Sequence, residues 1–329
     1  MSKLKEISEA PMIREYAQKS AQDGIAPVAN FLAPVVEVST AVGKYKRYTS
    51  KSRFHLPNTL RSIGGRASVV GWDAKDETFD CKPHALDCPI DVLESGETED
   101  FENLLQEAAD EVAAIGALSH EKSVIDGALA ALTPIPVNFG PLNDPVAIMD
   151  QVVLDVMKAA RFGSIMKIGV LFGADAFVGV KNHPKVTGKF IAGGGKGPKP
   201  LAVVDESVVS DLLVGGPEVR VSFMVYDRAA EGLPEDIQFI LQNGILVFAR
   251  QENPTRRDPS FMKTFRLRNK WMVPGVYERD DGRVEVAKFD WSEDVKVTNA
   301  PAGALLIPNF NGESSSSSSE SSSSSGGGE

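Results

Sequence analysis

Residues 98–132 read TEDFENLLQEAADEVAAIGALSHEKSVIDGALAAL. Phe101, Leu104, Leu105, Ala108, Val112 and Ile115, then Val124, Ile125, Ala128, Leu129 and Leu132, recur at three- and four-residue spacing, which gathers them on one face of an α-helix. Thr98 stands where an N-cap side chain accepts a backbone N–H, and Glu99, Asp100 and Glu102 follow where the helix dipole favours negative charge. At 1.5 Å per residue the helix spans about 50 Å. Gly116 and Gly127 are the points where it is expected to bend or weaken, and Pro134 and Pro136 end it.

Upstream of this helix the chain looks short of core. Residues 1–40 hold Pro11, Pro27 and Pro34 and no long apolar period, so they read as an arm that takes its order from another surface. Residues 40–93 hold short β-prone pieces (43–49, 67–72, 78–81) broken by polar residues and by Gly64-Gly65, the pattern of a long two-stranded excursion. Charge is segregated here. Between positions 44 and 66 stand seven basic residues (Lys44, Lys46, Arg47, Lys51, Arg53, Arg61, Arg66) and no acidic one. Between 91 and 111 stand nine acidic residues (Asp91, Glu94, Glu97, Glu99, Asp100, Glu102, Glu107, Asp110, Glu111) and no basic one.

Downstream, residues 144–250 alternate helix and strand as a compact α/β unit. A helix over 144–162 is capped by Asp144 with Pro145 at its first position, and a buried strand follows over 165–172. A short helix to Asn182, a helix over 205–214 and strands over 218–226 and 244–249 complete the unit. Residues 260–307 alternate with strand period and are expected to pair near the long helix. Beyond Asn311 the composition collapses to serine, glycine and three glutamates, which lack the apolar surface to fold.

With 329 residues, 42% of them apolar and 24% charged, the chain has ordinary globular composition. The start lacks the apolar stretch of a secretory signal, and the most apolar window, 164–180, is interrupted by Lys167 and Asp175, so no membrane span is expected. Two cysteines without a signal segment point to free thiols. A net charge of -10 disfavours tight whole-surface binding to nucleic acid.

Catalytic and metal patterns are weak. The loop Gly193-Gly194-Gly195-Lys196-Gly197-Pro198-Lys199 suggests a phosphate cradle, but no Ser or Thr follows the lysine and Pro198 removes a donor, so a surface loop is the better reading. Cys81, His84 and Cys88, with His55 as a remote fourth, match no common zinc spacing and read as ordinary thiols. None of the four histidines (His55, His84, His120, His183) stands beside a Gly-x-Ser-x-Gly elbow, and His183, before Pro184, reads as a turn or cap residue. No catalytic, cofactor or metal residues are expected. The basic run, interleaved with Tyr45, Tyr48 and Phe54, has three readings: a solvated face, a nucleic-acid surface, or a loop that docks on the acidic helix start of a neighbouring copy.

The order of these parts resembles the tailed-bacteriophage major capsid proteins of the Hong Kong 97 type. The likeness is carried by Leu60-Arg61-Ser62-Ile63-Gly64-Gly65-Arg66, by Thr78-Phe79-Asp80-Cys81-Lys82-Pro83-His84-Ala85-Leu86, by LFGADAFVGVKNHP at 171–184, by 204–226, and by Pro259-Ser260-Phe261 running into Thr264-Phe265-Arg266. The resemblance implies an α+β fold with an N-terminal arm (1–42), an extended β-hairpin loop (43–92), a peripheral domain with a spine helix (93–140), an axial domain (141–255), peripheral return strands (256–312) and a Ser/Gly tail (313–329). It also implies a non-enzymatic subunit that self-assembles as pentamers and hexamers into an icosahedral head around double-stranded DNA, in a virion put together in the host cytoplasm. Implied partners are a separate scaffold protein, a portal, possible decoration protein and weakly held DNA. The expected inter-subunit contacts are Lys44, Lys46, Arg47, Lys51, Arg53, Arg61 and Arg66 against Glu97, Glu99, Asp100 and Glu102. Some relatives cross-link a loop lysine to an asparagine; Lys51 and Asn309 have the right types, with no motif to fix them. The alternatives are an encapsulin-like cargo shell, which resembles the same fold, and an α/β enzyme using the glycine loop on a phosphate ligand.

Overall fold

The computed structural model describes residues 27–48, 59–61, 63–66, 74–91, 101–160, 166–192, 204–230, 232–279 and 283–311. In chain order these form α1 (Pro27–Leu32), β1 (Val35–Val38), β2 (Val42–Tyr48), β3 (Ala74–Asp80), β4 (Lys82–Asp91), α2 (Phe101–Ala131), β5 (Pro134–Asn138), α3 (Pro145–Ala159), β6 (Lys167–Gly173), α4 (Ala174–Lys181), α5 (Pro184–Ala192), α6 (Glu206–Leu212), β7 (Glu218–Ser222), β8 (Val225–Asp227), β9 (Ile237–Phe239), β10 (Ile245–Arg250), β11 (Met262–Leu267), β12 (Val273–Glu278), β13 (Val284–Val297) and β14 (Gly303–Asn309).

Two five-stranded sheets carry the fold. In the first, the long strand β13 pairs antiparallel with β4, β12 and β11, and β1 adds parallel to β11. In the second, the order is β5-β14-β10-β6-β7. Its edge strand β5 holds Pro134 and Pro136, which lack N–H groups, so that edge offers few donors to a stray strand. Two ribbons stand apart from the sheets, β2 with β3 and β8 with β9.

Helix α2 ties the sheets together. Its 31 residues span about 47 Å. Ala108, Val112, Ala113 and Ala117 pack on Trp271, Met272, Phe289 and Trp291 of the first sheet region. Val124, Ile125, Ala128 and Leu132 enter the main core with the second sheet. Gly116 does not break the helix; it admits Met272, whose Cε would lie 2.0 Å from an added Cβ. Where one packing face hands over to the other, two buried polar residues take opposite partners. His120 Nδ1 donates to Glu293 Oε1 on β13 (2.8 Å), and Glu121 Oε1 accepts from Ser222 Oγ on β7 (2.9 Å).

Several expectations from the sequence are corrected. Residues 27–38 are not an arm without a core: Val28, Ala29, Phe31, Leu32 and Ala33 are buried in the main cluster, and β1 lies in the first sheet. Six residues of helix are too few to show a period, so the burial was invisible. Residues 82–91 belong to the first sheet through ten register pairs with β13, although most of their side chains face outward as on an edge strand. Residues 303–309 return to the second sheet beside β10, away from the other return strands. The stretch 218–226 is two strands in different sheets, and α5 is a helix begun by Pro184 that the sequence did not suggest.

Candidate assembly surface

The β2–β3 ribbon leaves the body from a small core of its own. Tyr45, Phe79 and Cys81 meet Val36, Val38 and Phe265, with the Phe79 and Phe265 rings stacked at 4.6 Å. This cluster fixes the register in which Lys46 faces Asp76 and Tyr45 faces Glu77. Lys46 Nζ then lies 2.5 Å from Asp76 Oδ1, and Arg47 Nη1 donates to Glu77 Oε1 at 2.6 Å. Tyr45 Oη donates to the other Glu77 oxygen at 2.7 Å. Partial burial opposes ionisation of Glu77, but Arg47 and Tyr45 outweigh it and hold the carboxyl below its usual range. Burial first, and Glu77 second, push the Tyr45 phenol well above its usual range.

Of the seven expected basic contacts, Lys46 and Arg47 therefore spend charge inside the chain on β3. Lys44, Arg61 and Arg66 are exposed and make no ion pair among the described residues. Near Arg61 and Arg66, Leu60 and Ile63 are fully out in solvent. Lys51, Arg53, Glu97, Glu99 and Asp100 lie outside the described residues. Glu102 is in the first turn of α2, and its side chain is likewise outside them.

Sequence reading missed two of the four cations that line a groove on this surface. A groove beside β2 is lined by Lys44, Tyr45, Lys46, Asp76, Arg256 and Arg257. The Lys46 N–H donates to Arg256 O, and the Arg256 guanidinium sits 5.6 Å from the Phe79 ring centroid. Lys46, then Lys44 and Arg257, hold the Asp76 carboxyl below its usual range. The two arginines are set in place by a buried lysine. Lys263 Nζ donates to Thr255 O and Asp258 O, each at 2.7 Å, and pairs with Asp258 Oδ2 at 2.9 Å. Asp258 in turn accepts from the Thr255 and Ser260 backbone N–H groups. The short sequence Thr255-Arg256-Arg257-Asp258 carries a turn signal but no hint that it would settle two hundred residues upstream, against β2.

The other candidate residues have plain structural roles. The Cys81 thiol is buried, donates to Phe265 O, and burial pushes it up to about 11. The His84 ring stacks on Trp291 at 5.4 Å, and among the described residues no three His, Cys, Asp or Glu side chains could hold a metal. His183 Nδ1 accepts the Lys185 N–H at the start of α5. His120 is spent on Glu293. Asn309 pairs with Asn138 in the second sheet, and its Oδ1 accepts from the Asn311 N–H. His55 and the loop 193–199 are outside the described residues. No helix of the described residues is long and apolar enough to cross a membrane.

No family model matches the sequence, and no curated protein matches it. Solved structures do resemble it. A phage-related protein from Bordetella bronchiseptica superposes with a TM-score of 0.67 at 16% identity, covering 91% of this chain and 96% of that one. The mature capsid of bacteriophage PhiM1 gives 0.51 at 10% identity, covering 85% and 86%. The SrpI encapsulin from Synechococcus elongatus gives 0.51 at 12% identity, covering 86% and 88%. The chain has the Hong Kong 97-type capsid fold, α+β throughout.

Proposed function

We propose that this chain is the major capsid protein of a tailed bacteriophage, a structural subunit and not an enzyme, that assembles with copies of itself as pentamers and hexamers into an icosahedral head shell enclosing double-stranded DNA. The fold shared with phage capsid subunits supports the reading. The observation that carries it is the exposed charge of the β2 strand and of the segment that follows it, where Lys44, Arg61 and Arg66 are exposed and make no ion pair among the described residues and the Ile63 side chain stands fully in solvent. A surface of that kind is completed by another molecule.

In this reading the ribbon and the Arg256–Arg257 turn dock on the acidic 91–111 segment of a neighbour, with Glu97, Glu99, Asp100 and Glu102 as the opposing charges. Arg47 and Lys46 contribute less than their charge suggests, because Glu77 and Asp76 already hold them. A separate scaffold, a portal and decoration protein would be the further partners, and the virion assembled in a host cytoplasm the location. The division into arm, loop, peripheral and axial parts belongs to this proposal too, with residues 27–38 and 82–91 moved from the arm and the loop into the body and 303–309 moved to the second sheet.

An encapsulin-like cargo shell is the second reading, because an encapsulin matches as well as a phage capsid does. Electron microscopy of the purified full chain separates shells from the enzyme reading: closed particles are expected, and a product that elutes only as a 35.3 kDa monomer refutes both shell readings. Lys44→Glu with Arg257→Glu should lower particle yield about tenfold with the subunit still folded, and should weaken the inhibition of assembly by salt, because the attraction that salt screens is gone. Nucleic acid inside the particles favours the phage head, and a packaged enzyme favours the cargo shell.

A further inference from the structure

The β8–β9 ribbon is apolar on both faces. Residues 223–226 read Phe-Met-Val-Tyr without a break, and 237–241 read Ile-Gln-Phe-Ile-Leu. Alternation along a strand sends neighbouring side chains to opposite faces, so an unbroken apolar run belongs to a ribbon covered on both. One face is accounted for: Met224, Tyr226 and Ile240 pack on the main core, and Lys122 Nζ lies 4.5 Å from the Tyr226 ring centroid. The other face carries Val225 across from Phe239 and Ile237 across from Asp227, with Phe223 two residues ahead of Val225, just before β8 begins. Phe223 is 59% exposed, Val225 45% and Ile237 62%, and Leu233 in the connecting turn is 65% exposed.

With side-chain areas of roughly 150–200 Å², Phe223, Val225 and Ile237 present on the order of 300 Å² of apolar surface, the size of the largest patch on an ordinary monomer, which is often a functional one. A stable pair needs about 800 Å² from each partner, so this face alone would not hold two molecules together. Its rim bears both signs. Arg228 and Glu235 are exposed and make no ion pair among the described residues, and Asp236 stands beside them. A second copy of the same ribbon offers the opposite charge to each.

We infer that the outer face of the β8–β9 ribbon is covered by the same ribbon of a neighbouring copy, a contact too small to form alone and stable only where other subunit contacts reinforce it. The inference rests on the shell reading above and names a surface distinct from the β2–β3 groove. The test is particle yield by negative-stain electron microscopy and native mass spectrometry of the full chain, with circular dichroism and a thermal melt as folding controls. Phe223→Asp with Ile237→Asp should leave the melt near wild type and cut assembled species about tenfold. Arg228→Glu, at an exposed position that does not threaten folding, should also reduce assembly, and adding Glu235→Arg should restore it. Wild-type particle yield from the Phe223→Asp, Ile237→Asp chain overturns this inference and leaves the shell reading standing. A wild-type chain that stays monomeric at tens of micromolar overturns both.

Discussion

Glu293→Gln tests the joint between the long helix and the first sheet. The Glu293 carboxylate is buried, takes a hydrogen bond from His120 at 2.8 Å through one oxygen and from Arg266 Nη2 at 2.9 Å through the other. Burial alone would raise its pKa; the His120 hydrogen bond and charge, joined by Arg266, outweigh that and hold it at about 2 against an ordinary 4.5. A shift of that size corresponds to about 3 kcal/mol. Stripping one partner from a buried pair costs about 3–5 kcal/mol, which agrees, because Arg266 would be left buried without its anion. The network's net worth is smaller than this loss, since burying the Arg266 guanidinium carries its own cost and pulls its pKa down.

The folded-state pKa is depressed, so the stabilisation is complete above about pH 4.5 and is lost as pH falls towards 2. Glu293→Gln should therefore lower the urea unfolding free energy at pH 7 by about 3 kcal/mol, and the gap should close as the wild-type carboxylate is protonated. Trp271, with Arg266 Cζ 3.5 Å from its ring centroid, and Trp291 report the transition by fluorescence, in a Trp72→Phe background. A loss under about 1 kcal/mol at pH 7, or a gap that is constant down to pH 3, would refute the argument.

The remaining predictions concern the second sheet. Gly173 has ordinary backbone angles, but an added Cβ would lie 2.4 Å from Gln242 O and 2.7 Å from Leu241 O, atoms of a turn that also receives the Gly173, Ala174 and Asp175 N–H groups. Gly173→Ala should cost about 2–3 kcal/mol in a denaturant melt, and a neutral result would show that the turn yields freely. Burial raises the Glu121 carboxyl above its ordinary value despite the Ser222 hydrogen bond, so its penalty is absent below the ordinary value and grows as pH rises through the folded one. Glu121→Gln should gain stability relative to wild type as pH rises from 4 to 8; melts that run parallel across that range would contradict it.

The long helix, the capped helices at Pro145 and Glu206 and the buried strand at Lys167 were legible because period, caps and apolar runs are local properties of the chain. So was the segregation of charge along the chain. Pairings were not legible. The ten-residue register of β4 on β13, the return of β14 to β10 and the burial of α1 join segments up to two hundred and thirty residues apart, and a strand's own composition does not name its partner. For the same reason the basic surface was seen only in part: the run from Lys44 to Arg66 is written in sequence, while Arg256 and Arg257 join it only because buried Lys263 sets their turn against β2. Local chemistry decided which elements exist and where charge accumulates, and tertiary packing decided which of those charges are spent at home on Asp76 and Glu77.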